Sequence, residues 1–243
     1  AGIKLDQSKL TLTAHVSTKD GRELAAADGD GTVSVKLGTK PEQTVDDVES
    51  FDSYDSDAEL QTVYSPNHST KANLTLTDSP KDDGTKAGNL HYDFVSYPDY
   101  NGFQRSYTPK QDWSGFSKLN MYLKADGSDH KFVVQINAGG VTFEAYPKID
   151  GKDGHEVSLN FGDADGGDFA PASWDTAHAG TKLSQQLLSE VSSFALYVND
   201  NGGDRPKSGD LVLDSIALDG KRDAYVPQQT PSTPSDAEPQ IVD

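Results

Sequence analysis

Residues 130–149 read HKFVVQINAGGVTFEAYPKI, two alternating runs on either side of Gly139-Gly140. Alternation sends successive side chains to opposite faces of a strand. A two-residue Gly-Gly link is a favoured closure for an antiparallel hairpin. One face then carries Phe132, Val134, Ile136, Phe143 and Ala145; the other carries Val133, Gln135, Asn137, Glu144 and Tyr146. The first set is a core face. The second holds two amides, a carboxylate and a phenol. It is either the solvated side of a sheet or a surface built to bind.

The same pattern recurs along the chain. In KLNMYLK (118–124), Leu119, Met121 and Leu123 point one way and Asn120, Tyr122 and Lys124 the other. In SFALYVN (193–199), Phe194, Leu196 and Val198 turn inward and Ala195, Tyr197 and Asn199 outward. If these strands are neighbours in one sheet, Tyr122, Gln135, Asn137, Glu144, Tyr146, Tyr197 and Asn199 share one surface. Other alternating runs bounded by turn residues predict strands over 45–51, 72–76, 89–95, 102–106, 141–147, 155–159 and 210–218. One short helix is expected over 182–191, where Leu183, Leu187, Leu188 and Val191 share a face. Many strands and one helix predict an all-β fold: an antiparallel two-sheet β-sandwich of the jelly-roll type.

Composition narrows the function. The 243 residues are 34% hydrophobic and 9% aromatic, with a net charge of −18 and no cysteine. A chain this acidic repels nucleic acid and anionic membranes, so neither is expected as a partner. No disulfide holds the fold and no thiol does chemistry. No apolar run approaches the roughly 20 residues of a membrane-spanning helix. The expected setting is secreted, extracellular or attached to the cell surface, with any leader already removed.

Three regions differ in character. Residues 1–44 offer strands over 10–17 and 32–37 with few large apolar groups, too little for a core of their own. They either dock on the domain C-terminal to them or end a preceding immunoglobulin-like module. Residues 45–220 read as one sandwich domain. From 221 the chain gains Pro227, Pro231, Pro234 and Pro239 among Gln, Ser and Thr, a linker composition.

The polar face suits a sugar chain. Pyranose rings stack an apolar C–H face on a flat aromatic ring at low side-chain entropy cost. Their hydroxyls need both donors and acceptors, which amides and a carboxylate supply. A neutral ligand meets no repulsion from an acidic protein. The competing reading is that antiparallel sheets commonly have one solvated face and that tyrosine is a good strand residue. YPDYNGFQRSY (97–107) adds Tyr97, Tyr100 and Arg105 around a turn, and FAPASWDT (169–176) adds Trp174 in a loop. Each is also readable as packing at one end of the sandwich. Trp113 in DWSGF reads as structural.

VESFDSYDSDAELQTVY, GNLHYDF, DWSGFSKLNMYLKADGSDHKFVVQI, FEAYPKI, SFALYVN and LVLDSIALDG, in that order, resemble the β-sandwich carbohydrate-binding modules of bacterial glycoside hydrolases. The similar ones are the mannanase-associated families twenty-three and twenty-seven and the β-glucanase-associated family eleven. The resemblance implies a non-catalytic module that holds a β-1,4-linked plant polysaccharide, best β-mannan such as galactomannan or glucomannan. Mixed-linkage β-glucan, cellulose or another β-glycan is the alternative. The implied partners are the polysaccharide and a catalytic domain in the same parent chain, with the module itself a monomer. The resemblance also implies structural calcium, with Glu49 or Asp52 and Asp214 at the matching places. The sequence departs there from the commoner DFE and DDI forms, having Ser50-Phe51-Asp52 and Asp214-Ser215-Ile216.

The rival class is a jelly-roll polysaccharide hydrolase or lyase. Glycoside hydrolysis needs two carboxylates across the scissile bond, and Glu144 is the one carboxylate on the polar face to begin such a pair. No HExxH, GxSxG or phosphate-binding loop is present. A structural adhesin or spacer is the third reading.

Overall fold

The computed structural model describes residues 46–67, 73–81, 83–162 and 166–227. All of them fall in one compact unit that begins at residue 45. The strands expected over 10–17 and 32–37, and the proline-rich segment beyond 227, lie outside the described residues.

The described chain forms β1 (Asp47–Glu49), α1 (Asp57–Val63), β2 (Ser65–Asn67), β3 (Asn73–Asp78), β4 (Lys86–Asp93) and β5 (Tyr100–Gln111). Next come β6 (Phe116–Lys124), β7 (Lys131–Ala138), β8 (Val141–Ala145), β9 (Gly154–Asn160) and β10 (Ala170–Pro171). The last elements are α2 (Gln185–Leu188), β11 (Val191–Asn199) and β12 (Ser208–Lys221). They build two antiparallel six-stranded sheets. The first runs β3-β4-β12-β6-β9, with β1 beside the far half of β12; the second runs β10-β8-β7-β11-β5-β2. The expected two-sheet β-sandwich is the fold observed.

The inward residues of the alternating strands meet between the sheets. Leu119, Met121 and Leu123 face Phe132, Val134, Ile136, Phe194 and Leu196, all part of one buried cluster. Trp113 is fully buried there, as its reading required. Burying an aliphatic or aromatic side chain of this kind contributes about 1.5–3 kcal/mol. The hairpin between β7 and β8 closes on Gly139 (φ 60°) and Gly140 (φ 84°). Two successive positive φ values are what a type I′ link demands, and glycine adopts them without a Cβ clash.

Two local expectations shift. The helix expected over 182–191 shrinks to α2, capped by Ser184, whose Oγ accepts from the Leu187 N–H at 3.3 Å. Val191 instead begins β11, so the apolar spacing is satisfied half by a helical turn and half by a strand entering the sheet. A second helix, α1, was not expected. Its Ser56 side chain accepts from the Glu59 N–H at 3.3 Å, the Ser-x-x-Glu start signal. This helix shields the open edge of the first sheet. Asp57 accepts from the Leu76 N–H at 2.7 Å, and the Gln61 amide donates to the Leu74 carbonyl at 2.9 Å. Strand edges left with free backbone groups invite pairing with other chains.

Candidate functional site

Strand register assembles the outer face of the second sheet into rows. Asn199 stands between Tyr100 and Lys131. Two residues along, Tyr197 lies between Gly102 and Val133; two further, Ala195 lies between Gln104 and Gln135. Gln135 in turn pairs with Glu144 of β8. The middle of this face is floored by small residues. Val133, Ala195 and Tyr197 form a buried cluster separate from the main core, with Tyr100 packed against it. Gly102 is obligatory here, because a Cβ on it would fall 2.2 Å from the Tyr197 Cβ.

The result is a groove of about 370 Å³. Asn67 of β2, Tyr100 and Gln104 of β5, Tyr197 and Asn199 of β11, Lys131 and Gln135 of β7, and Glu144 of β8 line it; Ser173 and Trp174 follow β10. It therefore crosses the sheet from β2 to the β10 edge. At about 4.8 Å per strand that is roughly 24 Å, a length suited to a chain rather than a single sugar.

Glu144 organises the centre. It is buried, and its Oε1 accepts from the Tyr197 hydroxyl at 2.5 Å and from the Gln135 amide at 3.0 Å. Its Oε2 accepts from the Tyr146 hydroxyl at 2.7 Å, and the Gln135 amide also donates to the Tyr197 oxygen at 3.1 Å. Burial opposes ionisation of Glu144. The bonds from Tyr197, Tyr146 and Gln135, with the nearby Lys131 charge, outweigh it and hold the carboxyl below its ordinary range. Burial first, then the bond to Glu144, pushes the Tyr197 and Tyr146 hydroxyls well above the ordinary phenol range. Both phenols thus stay protonated as donors to a fixed anion.

The structure brings Gln135, Glu144, Tyr197, Asn199, Tyr100 and Trp174 together in the groove, and Trp174 is 64% exposed. Tyr146 stands at the margin, 43% exposed, with the Lys131 ammonium 3.7 Å above its ring. One of its faces is therefore covered, which corrects its reading as an open stacking platform.

Four expected positions lie elsewhere. Tyr122 belongs to β6 in the first sheet, between Asp214 and Glu156, so it cannot share this surface. Alternation assigned its face correctly but not its sheet. Asn137 is on the correct strand and face. Its amide donates to the Thr142 hydroxyl at 3.3 Å and accepts from the Ser192 hydroxyl at 2.9 Å, one row beyond Gln135 and outside the groove lining. Arg105 points between the sheets, donating to the Val48 carbonyl at 3.2 Å and to Glu49 at 3.3 Å. It shares the inward parity of Phe103 and Tyr107. Tyr97 is exposed in the loop after β4, with its ring beside Gly202 and Lys207 and away from the groove lining. Sequence reasoning missed Lys131, Gln104, Asn67 and Ser173. Lys131 has the parity of Gln135, and Gln104 that of Tyr100, so both were within reach of alternation. Asn67 and Ser173 belong to or follow elements too short to announce themselves.

The calcium expectation meets a donor set that does not fit it. The fully buried Glu49 carboxylate accepts from the Phe51 N–H and the Tyr54 hydroxyl at 2.8 Å, from the Tyr64 hydroxyl at 2.9 Å, and from Arg105. Asp214 accepts from the Ser79 hydroxyl at 2.6 Å and has the Lys81 ammonium at 3.4 Å. Asp52 is exposed and accepts from the Lys86 N–H at 2.8 Å. Calcium takes six to eight oxygens, whereas Glu49 and Asp214 each already face a cation of the chain. Among the described residues no three His, Cys, Asp or Glu side chains are grouped to hold a metal.

Fold and groove together define an antiparallel β-sandwich with a transverse polar-aromatic cleft. Residues 33–146 match the model of a carbohydrate binding domain, family 11. Of the resemblances expected from the sequence, this match supports the family-eleven one over those residues. The whole chain is 80% identical over 245 residues to a mannan endo-1,4-beta-mannosidase of Bifidobacterium adolescentis, and it spans 24% of that protein's length. A family 11 carbohydrate-binding module from Clostridium thermocellum, solved with a beta-1,3-1,4-mixed-linked tetrasaccharide, shares the fold. It has a TM-score of 0.51 and 16% identity, covering 72% of this chain and 95% of that one. The family 11 module of a cellulosomal cellulase of the same organism gives a TM-score of 0.50 at 14% identity, covering 74% and 96%. These matches align the chain with about a quarter of a longer relative and its residues 33–146 with a carbohydrate binding domain. Among the described residues lining the groove, Glu144 is the one carboxylate.

Proposed function

We propose that this chain is a carbohydrate-binding module that holds a β-1,4-linked polysaccharide, with β-mannan first, in the groove of the second sheet. The observation that carries the reading is a cleft crossing the sheet and furnished with Tyr100, Tyr197, Trp174 and fixed amides. Aromatic faces take the C–H faces of sugar rings, and the amides meet hydroxyls. The mannanase relative supports mannan over other β-glycans. Mixed-linkage β-glucan is the second reading, favoured by the family-eleven match. The module would act as a secreted monomer, keeping a tethered catalytic domain at high effective concentration on its substrate. Affinity electrophoresis against galactomannan, glucomannan, barley β-glucan and hydroxyethylcellulose tests this. Retardation is expected with the mannans, abolished in Tyr197→Ala. Retardation by the glucans alone would transfer the assignment to the second reading, and migration unchanged in every gel would remove both.

A further inference from the structure

Hydrogen bonding at the centre of the groove is one-sided. Both Gln135 amide protons are used, one on Glu144 and one on the Tyr197 oxygen. The Tyr197 and Tyr146 hydroxyl protons both go to Glu144. An ionised carboxylate donates nothing, and this one takes protons from Tyr197, Tyr146 and Gln135. With its amide protons spent, Gln135 has only its Oε1 left to offer a ligand, while the donors of the groove, Lys131 and Gln104, flank this row. Two residues beyond Tyr197 on the same face, the Asn199 Oδ1 is buried with no hydrogen-bond partner.

We propose that Glu144 leaves the Gln135–Tyr197 row at the groove centre with acceptors only, which selects glycans presenting free hydroxyls there and rejects chains whose hydroxyls facing that row are O-acetylated. The proposal rests on the carbohydrate-binding reading and adds to it which hydrogen-bonding role the ligand must play. A sugar hydroxyl donates to Gln135 or Asn199, whereas an ester replaces that donor by another acceptor. The buried acceptor then loses solvent without gaining a partner, which costs more than a missing contact in water. Glu144 is thereby a positioning residue. It acts through Gln135, Tyr197 and Tyr146, whose protons it holds.

Fluorine separates lost donation from added bulk, because it is close to a hydroxyl in size and cannot donate. The experiment titrates the full 243-residue chain calorimetrically with mannotetraose and with analogues carrying fluorine at single hydroxyls; O-acetylated and deacetylated glucomannan are compared in gels. At least one fluorinated position should weaken binding roughly fivefold to tenfold, the value of one lost hydrogen bond, and acetylated glucomannan should bind more weakly than the deacetylated polymer. Glu144→Gln places an amide donor in the row and should shrink the fluorine penalty, with thermal melting confirming a folded variant. A merely structural Glu144 would lower all affinities together and leave their ratios unchanged, which overturns the proposal. Equal binding of every fluorinated analogue overturns it as well while leaving the carbohydrate reading intact. If neither mannotetraose nor a mixed-linkage glucan tetraose binds, the carbohydrate reading itself fails.

Discussion

Strands β6 and β11 carry nearly the same message in sequence. Each has three large apolar residues facing one way and a tyrosine and an asparagine facing the other. Yet Tyr197 sits in the groove and donates to Glu144, whereas Tyr122 lies on the outer face of the opposite sheet, its ring lying over Gly154. The difference comes from their neighbours. β11 lies between β7 and β5, whose outward residues include Gln135, Gly102 and Gln104; β6 lies between β12 and β9, which set Asp214 and Glu156 opposite Tyr122. A binding surface is a property of adjacent strands, and one strand's alternation does not say which strands are adjacent.

Substitutions can break this contrast. The largest effect should fall on Arg105, expected from sequence to meet the ligand and found instead against the buried Glu49. Arg105→Ala leaves that charge without its cation, so urea unfolding should show a loss of about 3 kcal/mol. Lost glycan affinity at unchanged stability would return Arg105 to the groove. Tyr197→Ala removes a ring from the cleft and one of the donors that fix Glu144, and calorimetry should record about 2 kcal/mol less binding energy, roughly thirtyfold. Trp174→Ala touches an exposed rim residue, so binding should fall by about 1–1.5 kcal/mol while the melting temperature stays put. A matched loss of stability there would mean the indole is packing rather than platform.

Acid should sharpen the contrast further. The Glu144 carboxyl sits below its ordinary value of 4.5 in the folded protein. A group whose folded value is depressed contributes stability that is complete above the unfolded value and is lost as pH falls through the folded one. Denaturant midpoints taken from about pH 6 to about pH 3 should therefore drop further in the parent protein than in Glu144→Gln, with the gap opening below the ordinary carboxyl value. Parallel curves would show that the three donors do not hold the carboxylate ionised. The smallest effect belongs to Tyr122→Ala, for which glycan affinity should be unchanged. Weakened binding there would put β6 in the groove after all.

The fold was legible because its evidence is local. Hydrophobic alternation in 118–124, 131–137, 141–145 and 193–198 marks strands and says which side is buried, and Gly139-Gly140 marks a hairpin. Gln135 and Glu144 were found together because that hairpin sets their register within one short stretch. Arg105 went wrong because a charged residue on a strand reads as outward, and only the buried Glu49 opposite it explains its inward turn. The helix at Asp57–Val63 was overlooked despite its Ser56 and Glu59, since seven residues give too little periodicity to stand out.

By itself, then, the sequence determined an all-β sandwich, the parity of the strands over 118–124, 131–137, 141–145 and 193–198, and a polar hairpin face that holds Gln135 and Glu144. Tertiary structure alone decided that Tyr197 joins that face and Tyr122 does not, that Gly102 and Ala195 floor a groove, and that Arg105 and Lys81 answer the carboxylates expected to hold calcium. The physical reason is range. Side-chain direction follows from backbone geometry one residue at a time, while the neighbours of a strand are chosen by contacts between segments far apart in the chain.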